Sequence, residues 1–418
     1  MKLPLNLDRI KCYNYITISL AFFPLLGLKK SVIAVILWSL FSLFLFLSQK
    51  SYKTIAKKEL INVLILSSYY LSCIVSFFFI EDKKLAFSFL EKNIAFFIFP
   101  FFLIMNQRLI FEDTLRKTLY LFVLSNLVLA VYIWGVIFSK GFLTSMQMDT
   151  YYNPVIRNYF ADLSEIHLPY LGILFVFSAL LVLKELLSQK IKFNWELVAK
   201  SLTLGLLLFS VIAFAARLAL MIFLIVSFYL VFKRASFFGK SIFLISIVAL
   251  CFLMLSLPSS KKRIDEIIYT KMELPNKNQK SEEVNFRYGI YNCVNTVLKE
   301  NWLFGVGPGN VQNELNKCYA SYTYKNYDDY TNVEYNSHNQ YLDIWLKYGI
   351  FGLIFFMFFL FWGIKCSNEN YGIFLFIIVI AMLTENILNR QVGVIFFTFF
   401  NSLFFINRID NFEKSTNK

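Results

Sequence analysis

Long apolar runs dominate the sequence, and they restrict its fold more than any other feature. A helix that crosses a bilayer needs about 20 mostly apolar residues, because its backbone polar groups find no water there. Twelve runs are close to that length. They lie at residues 13–28, 31–48, 60–80, 85–105, 118–138, 168–187, 197–216, 218–232, 241–257, 349–364, 371–388 and 392–407. We therefore predict an all-α polytopic membrane protein with about 12 transmembrane helices.

The composition agrees with a membrane protein. Hydrophobic residues make up 58% of the 418 residues and charged residues only 16%, and the mean hydropathy is +0.58. Soluble domains contain about 45–50% apolar and about 25% charged residues. The formal net charge is +14, but the sequence has no soluble basic face. We therefore expect membrane lipids, and no nucleic acid, as partners.

The distribution of Lys and Arg predicts the orientation of the chain. Short loops that are rich in these residues face the cytoplasm, which places both termini inside and the segments 139–167 and 258–348 outside. No small-residue cleavage site follows the first run, so we expect a retained helix and not a removed signal peptide. The predicted divisions are helices one to nine (1–257), an outer loop domain (258–348), and helices ten to twelve with a cytoplasmic tail (349–418).

The outer segment 258–348 is long enough to contain its own helices. Residues 282–300 have apolar residues at helical spacing and two acidic residues in the first turn, which predicts a helix. Gly305–Gly309 predicts a tight turn, and it is not a phosphate-binding loop because no Lys-Ser or Lys-Thr ending follows. A second helix is expected from about Val311. The Tyr-, Asn- and Asp-rich stretch 319–336 suits contact with carbohydrate and an ordinary solvated loop equally.

Two cysteines, Cys293 and Cys318, fall in this outer segment. A disulfide between them would persist if the compartment is oxidising. The sequence leaves that pairing open. It contains no Cys and His spacing that is typical of a metal site, and we expect no cofactor.

Four arginines are predicted near the outer surface: Arg157, Arg217, Arg287 and Arg390. A guanidinium stays charged and forks onto phosphate oxygens, so a cluster of arginines suits a diphosphate. The alternative is that each arginine anchors a helix end or pairs with an acid such as Glu385. The functional role is favoured for Arg217, because its flanks are wholly apolar and a charge in such a run is costly.

His338 is one of only two histidines in the chain. It closes a polar stretch just before an apolar run, where an imidazole can take a proton from a hydroxyl near neutral pH. A lone histidine in such a place is more often a hydrogen-bonded structural residue. We assign that structural role to His167, because Pro169 and Tyr170 indicate the start of a helix.

The segments around His338 form a recognisable series of motifs. A glycine-rich turn is followed further along the chain by Ser-His-Asn-x-Tyr-Leu and then by Gly-Ile-x-Gly. The residues concerned are Trp302, Gly305, Val306, Gly307, Gly309, Asn310, Ser337, His338, Asn339, Tyr341, Leu342, Gly349, Ile350 and Gly352. This series resembles the O-antigen ligase and O-antigen polymerase superfamily. The resemblance covers roughly residues 200–400, including the helix of Arg217 and the segment Thr384–Asn386.

The resemblance implies a metal-independent glycosyltransferase of the bacterial inner membrane, with its active site facing the periplasm. The donor would be a glycan on undecaprenyl diphosphate. The acceptor would be a sugar hydroxyl of the lipid A core in a ligase, or another lipid-linked glycan in a polymerase. By position, His338 would be the general base, and Arg217, Arg287 and Arg390 would hold the diphosphate. The family often has a hydroxyl residue beside the first of these arginines, where this chain has Ala216.

Within that superfamily, we favour O-antigen ligation in lipopolysaccharide biosynthesis over polysaccharide polymerisation. A transporter or flippase of lipid-linked glycans is an alternative of a different class. Transporters usually place charged sites near the bilayer midplane and contain internal repeats. Here the polar residues gather on one face and no half of the sequence is duplicated. Nothing in the sequence argues for a purely structural scaffold.

Overall fold

The protein is described here from a computed structural model, which places residues 7–80, 83–140, 154–188, 194–256, 273–274, 285–322, 334–365 and 368–416. Every regular element within these residues is a helix, which confirms the predicted all-α class. The α-helices are α1 (Leu7–Ser19), α2 (Phe23–Ser48), α3 (Lys57–Leu66), α4 (Ser68–Phe79), α5 (Lys83–Asn93), α6 (Ala95–Met105), α7 (Thr114–Ser139), α8 (Pro154–Ser164), α9 (Leu168–Ser188), α10 (Trp195–Ala213), α11 (Arg217–Arg234), α12 (Phe237–Ser256), α13 (Phe286–Asn301), α14 (Val311–Tyr319), α15 (Gln340–Lys365), α16 (Glu369–Ala381) and α17 (Gln391–Thr416).

Several of these helices are long and apolar enough to cross a membrane. Within the described residues there are six, or up to seven if the pair α3 and α4, which is bent by 65°, counts as one span. The six are Leu7–Ser48, Ala86–Met105, Thr114–Ser139, Leu168–Ser188, Trp195–Ala213 and Gln340–Gly363. Shorter apolar helices are Phe237–Val248, Glu369–Ala381 and Gln391–Asn407. The chain is a multi-pass membrane protein, and the predicted number of twelve spans is not confirmed.

Some predicted runs differ from the helices in their bounds. The runs 13–28 and 31–48 lie in one stretch, Leu7–Ser48, which contains a non-helical residue at Gly27 (φ 72°). Helix α15 begins at Gln340, but its backbone is non-helical at Gly349 (φ 68°), where the run 349–364 was expected to begin. The run expected to reach residue 388 ends at Ala381, where the chain turns. The hydropathy of the sequence shows which residues are apolar, whereas the ends of these helices are determined by polar capping residues and by glycine.

The chain packs as two compact units, each of which is described by itself. The first comprises Met1–Leu45 and Arg108–Ile264, and the second comprises Phe46–Gln107 and Asp265–Lys418. The predicted linear division into 1–257, 258–348 and 349–418 concerns placement relative to the membrane and stays a prediction.

Helix α9 forms the centre of the first unit. It is buried over most of its length and packs against α7, α10 and α11. A buried asparagine ties α1 to the start of α7: the Asn14 side-chain amide donates to the Leu109 carbonyl (2.7 Å), and its Oδ1 accepts from the Thr114 hydroxyl (2.7 Å). Such bonds replace the water that these polar groups would otherwise need inside an apolar core.

A sharp break separates α10 from α11, as the division between the runs 197–216 and 218–232 predicts. Ala215 at the break adopts a left-handed conformation (φ 56°). The Phe214 carbonyl follows the end of α10, and it accepts a hydrogen bond from the Arg157 guanidinium. Gly172 of α9 lies so close that an added Cβ would be 2.7 Å from the Cβ of Ala216. The break therefore fixes the start of α11, and Arg217 is its first residue.

The second unit has its apolar core between α6 and α17. Both helices are rich in phenylalanine, and their rings interlock: the centroids of Phe99 and Phe399 are 5.3 Å apart. Helix α15 packs against α4, α13 and α16 in the same unit. It is the element that connects the core of this unit to the site described next.

Candidate active site

His338 lies in a short segment that precedes α15, and α14 holds the beginning of this segment. The Tyr335 carbonyl accepts hydrogen bonds from the Tyr319 hydroxyl (3.1 Å) and from the Gln312 amide (3.3 Å), both on α14. The predicted helix from Val311 is thus confirmed, and it positions the residues that lead to His338.

The residue after His338 caps helix α15. The Asn339 Oδ1 accepts from the backbone N–H groups of Tyr341 (3.0 Å) and Leu342 (3.1 Å), which would otherwise be unsatisfied at a helix start. Its amide nitrogen donates to the Leu383 carbonyl (3.0 Å). The Tyr341 hydroxyl donates to the Val379 carbonyl (2.9 Å). The Asn and Tyr of the motif therefore fix the position of the segment and do not themselves point to chemistry.

The turn between α16 and α17 packs against this segment through further polar side chains. Ser337 and Asn386 are both buried and hydrogen-bonded to each other (3.1 Å). The Gln340 backbone N–H donates to the Met382 carbonyl (2.8 Å), and its Oε1 accepts from the Leu388 N–H (2.7 Å). Two segments that are far apart in sequence thus form one rigid frame around His338.

His338 itself is held in an unusual conformation. Its φ of 44° lies in the left-handed region, and its backbone N–H donates to the Asn336 side chain (2.9 Å). The imidazole is half-buried, with the Tyr335 ring centroid 6.0 Å away. Its Nδ1 is buried and makes no hydrogen bond to the described part of the chain. A buried nitrogen without a hydrogen-bond partner is costly in a purely structural residue.

Electrostatics favour the neutral form of this imidazole. Burial lowers the pKa of His338 below its ordinary value, and the positive charge of Arg287 lowers it further. Arg287 stands in the first turn of α13, where Asn285 caps the helix and the arginine side chain is exposed. A neutral imidazole is the form that a general base needs.

Glu385 joins the same charged group. Burial raises the pKa of Glu385, and the nearby guanidinium groups of Arg287 and Arg390 oppose that rise. Two of the predicted diphosphate ligands, Arg287 and Arg390, thus lie near enough to Glu385 to influence its pKa, and Arg287 also lowers the pKa of His338. The sequence indicated Glu385 only as a possible ion-pair partner; its membership of the site follows from a turn that composition does not reveal.

The third predicted ligand, Arg217, belongs to the first unit. It is the exposed first residue of α11, and its guanidinium makes no hydrogen bond or ion pair with the part of the chain that the structure describes. Arg157, by contrast, caps the Phe214 carbonyl and so has a structural role. The sequence favoured a functional role for Arg217 because of its apolar flanks, and it left the role of Arg157 open.

The glycine turn, here residues 302–309, docks onto α15 through its backbone. Val306 N–H donates to the Leu346 carbonyl (2.7 Å), and Ile350 N–H donates to the Trp302 carbonyl (3.0 Å). Gly305 has a φ of 72°, and a Cβ there would lie 2.5 Å from the Leu346 carbonyl oxygen. The two motifs, from Trp302 and from Gly349, are therefore the two halves of one contact. Gly307 and Gly309 complete the turn. Gly307 also has a positive φ (82°), but a Cβ there would have no atom within 4 Å.

A cavity of 740 Å³ lies beside this turn within the second unit. Leu71 and Val75 of α4, Phe304 of the turn and Phe355 of α15 give it apolar walls, and Lys347 is the one charged residue among its described lining. Its volume falls within the range of about 300–1,000 Å³ that is usual for small-molecule sites. Among the described residues, no group of three His, Cys, Asp or Glu side chains comes together as metal ligands would.

A disulfide joins the two helices of the 258–348 segment. Cys293 of α13 and Cys318 of α14 are bonded, with their Cα atoms 5.6 Å apart, and their helices enclose a small apolar core with Leu298 and Leu315. The pairing that the sequence left open is thus made. Most of the polar stretch 319–336 lies outside the described residues, so its predicted contact with carbohydrate stays a prediction.

We expect removal of this disulfide to destabilise the α13–α14 pair. Closing a loop of 25 residues restricts the unfolded chain by about 3 kcal/mol. The double variant Cys293→Ser/Cys318→Ser should therefore unfold at a lower temperature in detergent, measured by tryptophan fluorescence. Cys12→Ser, which changes an exposed free cysteine of α1, is the matched control and should leave the unfolding temperature unchanged. Equal unfolding temperatures for the double variant and the control would contradict this expectation.

The site combines a half-buried histidine, two arginines that act electrostatically on one carboxylate, and motifs that dock a glycine turn onto α15. Residues 202–357, which include His338, Arg217 and Arg287, match the family model described as O-antigen ligase. This part of the chain is similar to an O-antigen ligase domain. The resemblance predicted from the sequence is thereby confirmed, and the family supports a membrane glycosyl-transfer function. A comparison with curated proteins found no significant match.

The O-antigen ligase domain spans both units of the structure. It begins within α10 and continues into α15, so it contains the break before Arg217, the disulfide-linked helices and the His338 segment. Arg390 and Glu385 lie beyond it, on the turn that Gln340 and Asn339 hold. Lipid-linked glycans are the general substrate class of this family.

Proposed function

We propose that this O-antigen ligase domain protein transfers a glycan from undecaprenyl diphosphate to a sugar hydroxyl of the lipid A core. The site would face the periplasm from the bacterial inner membrane. The observation that carries the proposal is His338: its imidazole is half-buried, its Nδ1 has no hydrogen-bond partner among the described residues, and both burial and Arg287 favour the neutral form. A residue with only a structural role has no need of that combination.

The reaction can be written with His338 as the general base. The imidazole takes the proton of the acceptor hydroxyl while the oxygen bonds to the anomeric carbon of the donor. The bond between that carbon and the diphosphate oxygen breaks, and both electrons leave with the lipid diphosphate. The proton on His338 then passes to solvent, so atoms and charge balance. General bases of this kind contribute about 10²–10⁴-fold to a rate.

Arginines stabilise the leaving diphosphate in this proposal. Its negative charge grows as the bond breaks, and fixed guanidinium groups bind phosphate oxygens in pairs. Arg287 and Arg390 both act electrostatically on Glu385, and Arg217 is exposed at the start of α11. The apolar cavity beside the glycine turn is of a kind that accommodates a hydrocarbon chain, such as part of the lipid carrier.

The disulfide supports the proposed location. Disulfides persist in oxidising compartments such as the periplasm and are rare in the cytosol. Cys293 and Cys318 lie in the segment that carries Arg287 and leads to His338. Their pairing therefore agrees with the orientation that the Lys and Arg distribution predicts.

The glycan profile of a deletion strain tests the proposal. Loss of all O-antigen on lipopolysaccharide, with polymer accumulating on its lipid carrier, would support ligation to the lipid A core. Lipopolysaccharide capped by single repeats would show instead that the chain is a polymerase with a lipid-linked acceptor. Lipid-linked glycans retained on the cytoplasmic face would favour a flippase, and an unchanged profile would refute all three.

The pH dependence of transfer should report the interaction between His338 and Arg287. The base works when neutral, so kcat/KM should fall as the pH drops through the lowered pKa of His338. Arg287→Met removes a positive charge that disfavours the imidazolium, so this pKa should rise and the acid limb of the profile should move to higher pH. Burial, the larger cause, remains.

Arg287→Lys is the matched control for this experiment. It retains the charge, so we expect the acid limb of its profile to stay at the pH of the unsubstituted protein, even if its overall rate is lower. The comparison uses profiles normalised to their maxima, because Arg287 is also a proposed ligand of the diphosphate. An acid limb that stays in place in Arg287→Met would exclude this charge as a cause of the lowered pKa.

A further inference from the structure

Lys347 is a buried cation that the proposed reaction does not use. Its side chain is only 6% exposed and that of Asp343 only 3%, and the two form an ion pair one turn apart on α15 (2.5 Å). A second ligand of the ammonium is the Asn389 Oδ1 (2.8 Å). Buried ion pairs seldom add net stability compared with apolar residues, so stability alone does not explain this one.

The bond to Asn389 connects α15 to the turn that carries the site's charges. Asn389 directly precedes Arg390, and Glu385 lies four residues before Asn389 in the same turn. On the α15 side, Asp343 accepts a hydrogen bond from the Gln340 amide (3.3 Å), and Gln340 Oε1 holds the Leu388 N–H. The hydrogen-bonded side chains of Asp343, Lys347 and Asn389 thus extend the frame around His338 further along α15.

The backbone of this part of α15 is fixed by other contacts. The glycine turn hydrogen-bonds to the Leu346 carbonyl and to the Ile350 N–H, on either side of Lys347. Helix α15 is therefore a fixed support at this level, and the Lys347 bond holds the end of the turn at Asn389. A misplaced guanidinium of Arg390 would bind a diphosphate less well, because phosphate recognition by arginine is geometrically specific.

We propose that Lys347 is a positioning residue, which holds the Asn389–Arg390 turn so that Arg390 can bind the donor diphosphate. This inference rests on the proposed function, since it assigns Lys347 a role in donor binding and none in acceptor binding. The role is specific: Lys347 acts through the Asn389 side chain, and Asp343 neutralises its charge.

The test uses two variants that break the same bond from either side. Asp343→Asn/Lys347→Met removes both buried charges together, so no unpaired charge is left inside the protein. Asn389→Ala removes the acceptor of the Lys347 bond. Because a hydrogen bond to a charged group is lost, we expect each variant to raise the donor KM on the order of tenfold, with the acceptor KM unchanged. The Kd for undecaprenyl diphosphate should rise by the same factor.

Combining the substitutions separates positioning from general damage. The triple variant should be no worse than either parent, since both remove one interaction, whereas independent effects would multiply to about a hundredfold. Asp113→Asn/Lys117→Met changes an ion pair of the same spacing on α7, where both side chains are about half exposed, and should leave all constants unchanged. A donor KM and Kd unchanged in Asn389→Ala would overturn the proposal, as would multiplying effects.

The binding measurement keeps this inference apart from the proposed function. Undecaprenyl diphosphate that fails to bind the unsubstituted protein would refute the proposed donor, and with it the role of Lys347. Normal binding by the unsubstituted protein, with equal binding by both variants, would refute only the positioning role.

Discussion

Replacing His338 by asparagine or alanine should lower the rate of glycan transfer by about 10²–10⁴-fold, the range that a general base contributes. The proton of the acceptor hydroxyl would have no acceptor, because the His338 imidazole is the proposed base. Asparagine is the more informative substitution. Its side chain tolerates the left-handed φ of 44°, whereas alanine at that angle also costs about 1–2 kcal/mol.

The only other histidine provides the control. His167 is exposed, and its carbonyl accepts from the N–H groups of Tyr170 (2.9 Å) and Leu171 (3.1 Å) at the start of α9. Its ring takes part in no proposed step, so His167→Asn should transfer glycan at the normal rate. Transfer is measured with donor and acceptor extracted from the deletion strain, and the amount of inserted protein by quantitative immunoblotting. Normal transfer by a well-inserted His338→Asn would eliminate the catalytic base.

Much of the fold could be predicted because apolar runs and helix signals are local. The break at Phe214–Ala216 followed from an arginine within an apolar stretch, and the α14 helix from the turn before it. The end of α16 at Ala381 could not be predicted in this way. Residues 382–390 turn because Asn339, Gln340 and Ser337 hold them with hydrogen bonds, and those partners lie more than forty positions away.

The candidate site shows the same division between local and distant signals. His338, Arg287 and Arg390 could be named from the sequence because histidine and arginine are rare in apolar surroundings and suit an anionic donor. Glu385 and Lys347 were not assigned a role. Only the tertiary structure reveals their surroundings. Arg287 and Arg390 act electrostatically on Glu385, and Lys347 donates a hydrogen bond to Asn389.

Gly349→Ala should unfold the region around the candidate site in the second unit, because position 349 has no room for a side chain. Its φ is 68°, and a Cβ there would lie 2.0 Å from the Leu303 carbonyl oxygen and 2.6 Å from the Cα of Phe304. Both are backbone atoms, so no side-chain rotation relieves the overlap. Either the glycine turn separates from α15 or α15 moves, and His338 lies two residues before the start of α15. We expect a loss of about 4 kcal/mol or more, a size reserved for such clashes.

Gly307→Ala is the matched control, since it separates backbone strain from the close contact. Gly307 has an even more positive φ of 82°, but a Cβ there meets nothing within 4 Å. It should therefore lose only about 1–2 kcal/mol, the cost of the left-handed conformation itself. The unfolding temperature in detergent and the transfer rate should both fall far more in Gly349→Ala than in Gly307→Ala. Equal losses would mean that conformation alone restricts these positions, and that the docking of the turn onto α15 does not support the site.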